Sequence, residues 1–218
     1  KRLVMTLPYN SQFKSNWGYV KEALLEAGVT CTNAEITEIT HALRNAVFEL
    51  FPGPAKVMKW INEEVVSYIK AGHDSVQWVT PSGFTATQRF MKLQVKRLDL
   101  QLLGRVIVNV AVGETDQVDT NHHKNATSPN LIHSLDASLL HLATLRFDAP
   151  IALIHDSVLC RATDMSTLST IVRETYTHLF AEHDYLTDFA RQIESTNPPP
   201  IIGDLDPSAV IESTYFFC

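Results

Sequence analysis

The chain reads as an α+β protein, with helices first and β-hairpins after. Two observations predict this. Up to residue 71 the apolar positions recur at helical spacing, and from Val76 onward the period changes to two, punctuated by short turn-forming stretches. A third observation bounds the class: 45% of the 218 residues are hydrophobic, enough to fill a core and too many for a disordered chain.

Residues 1 to about 30 read as helical with a bend. Lys1, Met5 and Tyr9 are spaced by four and four, and Arg2 joins the same face. Pro8 removes an amide donor and crowds the carbonyl of Val4, so a kink is expected there. The helix resumes over 17–27 and Gly28 suits its stop. Residues 33–50 form a strong helix with Ile36, Ile39, Leu43, Val47 and Leu50 on one stripe, broken by Pro52-Gly-Pro54. Residues 55–71 form another, ending at Gly72. Residues 76–80 and 84–94 then read as strands around the turn Pro81-Ser-Gly83, and residues 96–112 alternate around a turn at Leu103-Gly104. The polar stretch 113–128 reads as a loop, 129–146 as a helix, and 150–160 as a buried hairpin. Helices follow at 164–182 and about 184–194, then a proline-rich loop, a short last helix and an aromatic tail.

Composition narrows the function classes. A formal net charge of −6 argues against a general nucleic-acid coat but not against a local basic groove. Cys31, Cys160 and Cys218 make no metal spacing and leave an odd thiol, which favours a reducing compartment. No apolar run approaches the roughly 20 residues of a membrane span, so no membrane partner is expected. Trp17, Trp60 and Trp78 read as core, and Glu35, Glu38, Glu63 and Glu64 as solvated helix faces. His122-His123 reads as part of a solvated loop.

Three constellations carry chemistry. In Pro150-Ile-Ala-Leu-Ile-His-Asp-Ser-Val-Leu-Cys160, apolar runs flank His155, Asp156 and Ser157, and Ile154 and Val158 would hold Asp156 at the end of a hydrophobic wedge. Such a carboxylate is either a turn residue or a ligand for Mg²⁺, which takes one or two carboxylates plus substrate phosphates. Lys1, Arg2 and Tyr9 are either a solvated face with a packed ring or a nucleotide clamp, cations on the triphosphate and the ring by base and sugar. The hairpin 96–109 places Arg97, Asp99 and Gln101 on one face of its first strand and Arg105, Ile107 and Asn109 on one face of the return. Leu98, Leu100, Val106 and Val108 would pack inward. It is either an ordinary half-exposed hairpin or a β-ribbon for a DNA major groove, with Arg reading guanine, Asp cytosine and Gln or Asn adenine.

Taken together, Lys1-Arg-Leu-Val-Met-Thr-Leu-Pro-Tyr9, Pro129-Asn-Leu-Ile-His133-Ser-Leu-Asp136-Ala-Ser, the His155-Asp156-Ser157 hairpin and the tail Ile211-Glu-Ser-Thr-Tyr-Phe-Phe-Cys218 resemble the single-subunit, bacteriophage-type RNA polymerases, a group that includes the mitochondrial enzymes. The resemblance implies a fingers and palm portion of a right-hand polymerase with an incomplete palm. Residues 1–75 would be fingers helices, 76–128 β-hairpins with a promoter-specificity-like ribbon at 96–109, and 129–218 palm with the metal-binding hairpin and terminal foot. It implies that Lys1 and Arg2 contact the incoming triphosphate, with Lys1 as general acid to the leaving pyrophosphate. Tyr9 would sit by the ribose, His133 by the minor-groove side of the hybrid and His155 near the primer end. Asp156 would bind catalytic Mg²⁺. The implied partners are DNA template and promoter, RNA product, NTP substrates and the rest of the polymerase chain. The implied setting is host cytoplasm if phage-encoded, or else the mitochondrial matrix.

Two departures qualify this reading. Asn10 follows Tyr9 where the family usually has glycine, although Asn tolerates a left-handed backbone better than most residues. The two-metal clamp needs a second aspartate, which the family supplies upstream of the fingers helix, so this stretch alone is expected to be inactive. The rival readings are an A-family DNA polymerase, whose hairpin usually reads His-Asp-Glu where Ser157 stands here, and a non-catalytic promoter-binding module.

Overall fold

A computed structural model describes residues 2–6, 9–101, 104–201 and 203–216. Lys1, Pro8 with its expected kink, Leu103 of the ribbon turn, and Phe217 and Cys218 of the tail lie outside the described residues. The α+β expectation holds: among the described residues four α-helices lead, and three antiparallel two-stranded sheets follow, interspersed with three more α-helices and two short 3-10 turns.

The first expected helix is two. α1 (Arg2–Thr6) and α2 (Phe13–Glu26) are separate elements, and residues 9–12 are not helical, so Tyr9 does not lie on the face of α1. Asn10 adopts the left-handed conformation, φ 53°, as anticipated for this position. α3 (Asn33–Leu50) opens on a capping box in which Glu35 accepts from the Thr32 amide and Thr32 accepts from the Glu35 amide. Its stripe is only partly covered: Ile36 is buried, whereas Leu43 is 43% and Leu50 73% exposed. α4 (Pro52–Lys70) begins three residues earlier than expected, because Pro52 occupies the first helical position, where its missing N–H costs nothing.

The main core joins distant segments. Trp60, Ile61 and Val65 of α4 meet Val76 and Trp78 of β1 (Val76–Val79), Leu131 of α5 (Thr120–Leu145) and Phe189 of α7 (Tyr185–Gln192). Glu64 corrects its expectation. It is 6% exposed and accepts from Ser195 Oγ and Asn197 Nδ2, both at 2.7 Å, which pins the loop after α7 to α4. Trp17 is only half-buried; Trp60 and Trp78 are core.

The expected strand 84–94 is divided. β2 (Thr85–Gln88) pairs with β1 across the predicted turn, and β3 (Met91–Leu100) pairs instead with β4 (Val106–Val118). The break has a cause: the Phe90 amide leaves the ladder and donates to Nε2 of His123 at 3.0 Å. The expected loop 113–128 is also overturned. β4 runs to Val118, and α5 starts at Thr120, capped by the Asp119 carboxylate on the His122 amide at 2.9 Å. α5 passes through Pro129, which a sequence reading naturally takes as a helix start. Its extra turns are held by tertiary contacts. His123 is fully buried, Gln88 donates to Thr127 Oγ1 at 2.9 Å, and the His122 ring stacks on Phe90 at 3.7 Å. The solvated-loop reading of His122-His123 is therefore wrong.

A second core supports the 150–160 hairpin. Ala143, Phe147, Leu168 and Val172 are buried, with Ile151, Val158, Cys160 and Phe216 packed against them. α6 (Met165–Ala181) forms its floor, and Arg173 on that helix donates to the Ser213 carbonyl at 2.6 Å, tying down the tail.

Candidate active site

The hairpin of β5 (Ile151–Ile154) and β6 (Ser157–Cys160) closes through the two residues His155 and Asp156. His155 takes φ 55°, the left-handed value that a first turn residue needs for the strands to keep their twist. The pairing corrects two expectations. Val158 opposes Leu153, and Ile154 opposes Ser157, so Ile154 and Val158 lie on opposite faces and do not form one wedge. The hairpin is also not buried on both sides: the Ile151, Val158 and Cys160 face rests on the second core, while Ile154 is 56% exposed. One anchored face is nevertheless enough to fix the tip.

Tyr9 approaches from the far end of the sequence. The left-handed turn at Asn10 is stapled by its side-chain Nδ2, which donates to Asn62 Oδ1 of α4 at 3.3 Å, and by Gln12 Nε2, which donates to the Asn10 backbone carbonyl at 2.9 Å. The Tyr9 ring then stacks on His133 of α5, centroids 4.9 Å apart and planes 16° from parallel. Tyr9, His133, Asp136, His155 and Asp156 together line a cleft of about 410 Å³. Residues from three separate segments, singled out for one chemistry, thus share one cavity.

Asp136 is the member that sequence reasoning passed over, although it lies in the quoted His133-Ser-Leu-Asp136 motif. It stands one helical turn from His133, with Oδ2 3.9 Å from His133 Nδ1. Burial in the cleft raises its proton affinity, His133 opposes that, and the Asp156 carboxylate adds to it. The i, i+3 spacing was the available signal. Asp156 itself is exposed and has no hydrogen-bond or ion-pair partner among the described residues. A hard oxygen donor held at a rigid tip, unneutralised and facing a second carboxylate, fits Mg²⁺.

Arg2 is elsewhere. It pairs with Glu22 of α2 and lies 5.7 Å over the Tyr19 ring, and it is not among the cleft residues. Lys1 lies outside the described residues.

The ribbon residues do share a face. Arg97 opposes Asn109 and Asp99 opposes Ile107 in the β3–β4 register, and Arg105 clasps Asp99 at 2.8 and 2.9 Å. Gln101 follows the last residue of β3. The other face does not pack inward as expected: Leu100 is 47% and Val106 52% exposed, because among the described residues the ribbon's extensive contacts are between its own strands.

A family model described as DNA-dependent RNA polymerase matches residues 1–200. The chain belongs to that family. The DNA-directed RNA polymerase of Pseudomonas phage phiKMV is 29% identical over the whole of this chain and 28% of the relative's length. DNA-directed RNA polymerase 2, chloroplastic/mitochondrial, of Arabidopsis thaliana is 30% identical over 94% of this chain and 20% of its own length. DNA-directed RNA polymerase 2A of Nicotiana tabacum is 28% identical over the whole chain and 68% of its own length. The chain therefore spans under a third of the first two. Membership of an RNA polymerase family removes the A-family DNA polymerase reading, and the mixed architecture suits a fingers and palm portion of such an enzyme. No helix of the described residues is long and apolar enough to cross a membrane.

Proposed function

We propose that this chain forms the fingers and palm part of a DNA-directed RNA polymerase, and that the Tyr9–His133–His155–Asp156 cleft is its nucleotidyl-transfer site. One observation carries the proposal: the four side chains come from three distant segments and line a single cleft. The relatives' names supply the reaction class.

In this reading Asp156 holds Mg²⁺, which when bound offsets the charge that develops on the transferring phosphoryl group. The clamp's second aspartate is assigned to the part of the relatives that this chain does not span. Tyr9 is stacked and so held side-on, presenting its hydroxyl to the sugar of an incoming nucleotide. His133 braces that ring from below, and Asp136 positions His133. His155 supports the tip through its left-handed turn, beside the primer end. Lys1 and Arg2 contact the triphosphate, with Lys1 as proton donor to pyrophosphate; for Arg2 this requires release from Glu22, an exposed pair worth no more than about 1 kcal/mol. The ribbon residues Arg97, Asp99, Gln101, Arg105 and Asn109 form a hydrogen-bonding face suited to promoter bases. The implied partners are template and promoter DNA, RNA and NTPs. Host cytoplasm is the proposed setting, in keeping with the phage relative.

The test is Asp156→Asn in the full-length polymerase. Loss of RNA synthesis with retained DNA binding is expected; unchanged synthesis would refute the metal role, and loss of DNA binding as well would point to a non-catalytic binding module.

A further inference from the structure

We propose that the C-terminal end of α6 carries a second metal site, of the Zn²⁺ class, built from His178, Glu182 and His183. One ligand atom from each residue lies within 4.8 Å of the other two. Two imidazoles and a carboxylate are the donor set of zinc and its transition-metal neighbours, not of Mg²⁺, which prefers oxygen alone. The site is therefore chemically distinct from the Asp156 cleft, and none of its residues lines that cleft.

The geometry requires little adjustment. Tetrahedral zinc with bonds of about 2.0–2.2 Å sets its donors about 3.4 Å apart. His178 Nδ1 and Glu182 Oε2 are now 2.8 Å apart, and the two imidazole rings meet edge to face at 5.5 Å between centroids. An ion would replace the His178–Glu182 contact, push those atoms slightly apart and draw His183 inward. All three side chains are exposed. His178 stands in the last turn of α6 and Glu182 is its C-cap, at i+4, so the two side chains share one side of the helix end.

The local backbone favours a cation as well. The last carbonyls of α6 form the negative end of its dipole. The closing bond of that turn, Glu182 amide to His178 carbonyl, is long at 3.4 Å. A metal bridging residues 178, 182 and 183 would clamp that turn and the link to α7, whose Phe189 and Ala190 sit in the main core.

Three protein ligands leave a fourth position open. His178 and His183 both line a cavity of about 590 Å³, which Arg146 and Tyr185 also line. The Tyr185 hydroxyl there is buried and has no hydrogen-bond partner among the described residues. The fourth ligand is assigned to a water or small anion entering from that cavity, which the unpartnered Tyr185 hydroxyl shares.

The experiment is a Zn²⁺ titration of the full-length polymerase by calorimetry, with Co²⁺ absorption reporting coordination geometry. Wild type is compared with His178→Ala, His183→Ala and the double variant. Each single change should weaken one Zn²⁺ equivalent by at least about tenfold, and the double variant should lose it. Equal stoichiometry and affinity in all four proteins would overturn the proposal, as would absence of Zn²⁺ binding to wild type. Should a variant fail to fold, Zn²⁺-dependent protection of His178 and His183 from diethyl pyrocarbonate decides the matter on wild type alone: protection of both supports the site, and equal modification with and without Zn²⁺ overturns it.

Discussion

The β5–β6 hairpin and the β3–β4 ribbon are both antiparallel pairs with polar residues assigned to contact nucleic acid or substrate, yet they are held in opposite ways. The short hairpin has four residues per strand and rests one face on Ala143, Phe147, Leu168 and Val172. The ribbon has ten and thirteen, is shifted in register at Met91/Leu93 and Gln94/Val95, and is exposed along most of both faces. Its base is secured, where Val118 packs on the main core and the Asp119 amide bonds the Phe90 carbonyl at 2.9 Å. An isolated two-stranded hairpin is marginally stable in water. The comparison teaches that the proposed metal ligand is placed by core packing, whereas the proposed reading surface is left to cross-strand pairs.

The difference can be broken most sharply at Asp156. Replacing it with Asn in the full polymerase should lower RNA synthesis on the order of a thousandfold, the scale for losing stabilisation of transition-state charge. Thermal unfolding should be unchanged, since the residue is exposed. Undercutting the hairpin comes next. Leu168→Ala leaves a cavity in the second core and should cost about 2–5 kcal/mol in urea unfolding. Leu100→Ala, on the exposed face of the ribbon, should stay within about 0.5 kcal/mol. Equal costs would mean that the ribbon is packed in solution.

A smaller effect is expected from Arg105→Ala. It removes the partner of Asp99 and, in the proposed reading, a base contact, so promoter discrimination should fall by about 1–3 kcal/mol while transcription from a non-specific template is unaltered. Equal loss on both templates would place Arg105 on the phosphate backbone instead. The smallest effect is a pH response at the ribbon's root. Burial, chiefly, holds the His123 imidazolium below its ordinary pKa of 6.5. The folded state thus favours the neutral ring, whose Nε2 accepts the Phe90 amide. That stabilisation is present above pH 6.5 and is lost as pH falls through the lower folded value. Melting curves from pH 7.5 to 5 should show the loss, and His123→Gln should flatten it.

Much of the site was legible in the sequence because its motifs are local. His155-Asp156 between two apolar runs announces its own hairpin, and His133 sits on a helix that the pattern predicts. Asp136 offered only its i, i+3 spacing from His133 as a signal, and its place beside Asp156 came from the fold. The helix start at Thr120 was hidden because Pro129 is a stronger local signal than Asp119, and burial of His123 outweighs both. Glu64 looked solvated because its partners, Ser195 and Asn197, are more than 130 residues away.

By itself, then, the sequence determined the α+β class, the turn at Asn10, the hairpin with Asp156 at its tip, and the hydrogen-bonding face of the ribbon. These follow from backbone preference and period, which act over a few residues. Tertiary structure alone decided that Tyr9 stacks on His133, that Arg2 turns to Glu22, and that the ribbon's apolar face stays open. Each of those depends on which surfaces compete for a side chain across the fold, and no local pattern encodes that competition.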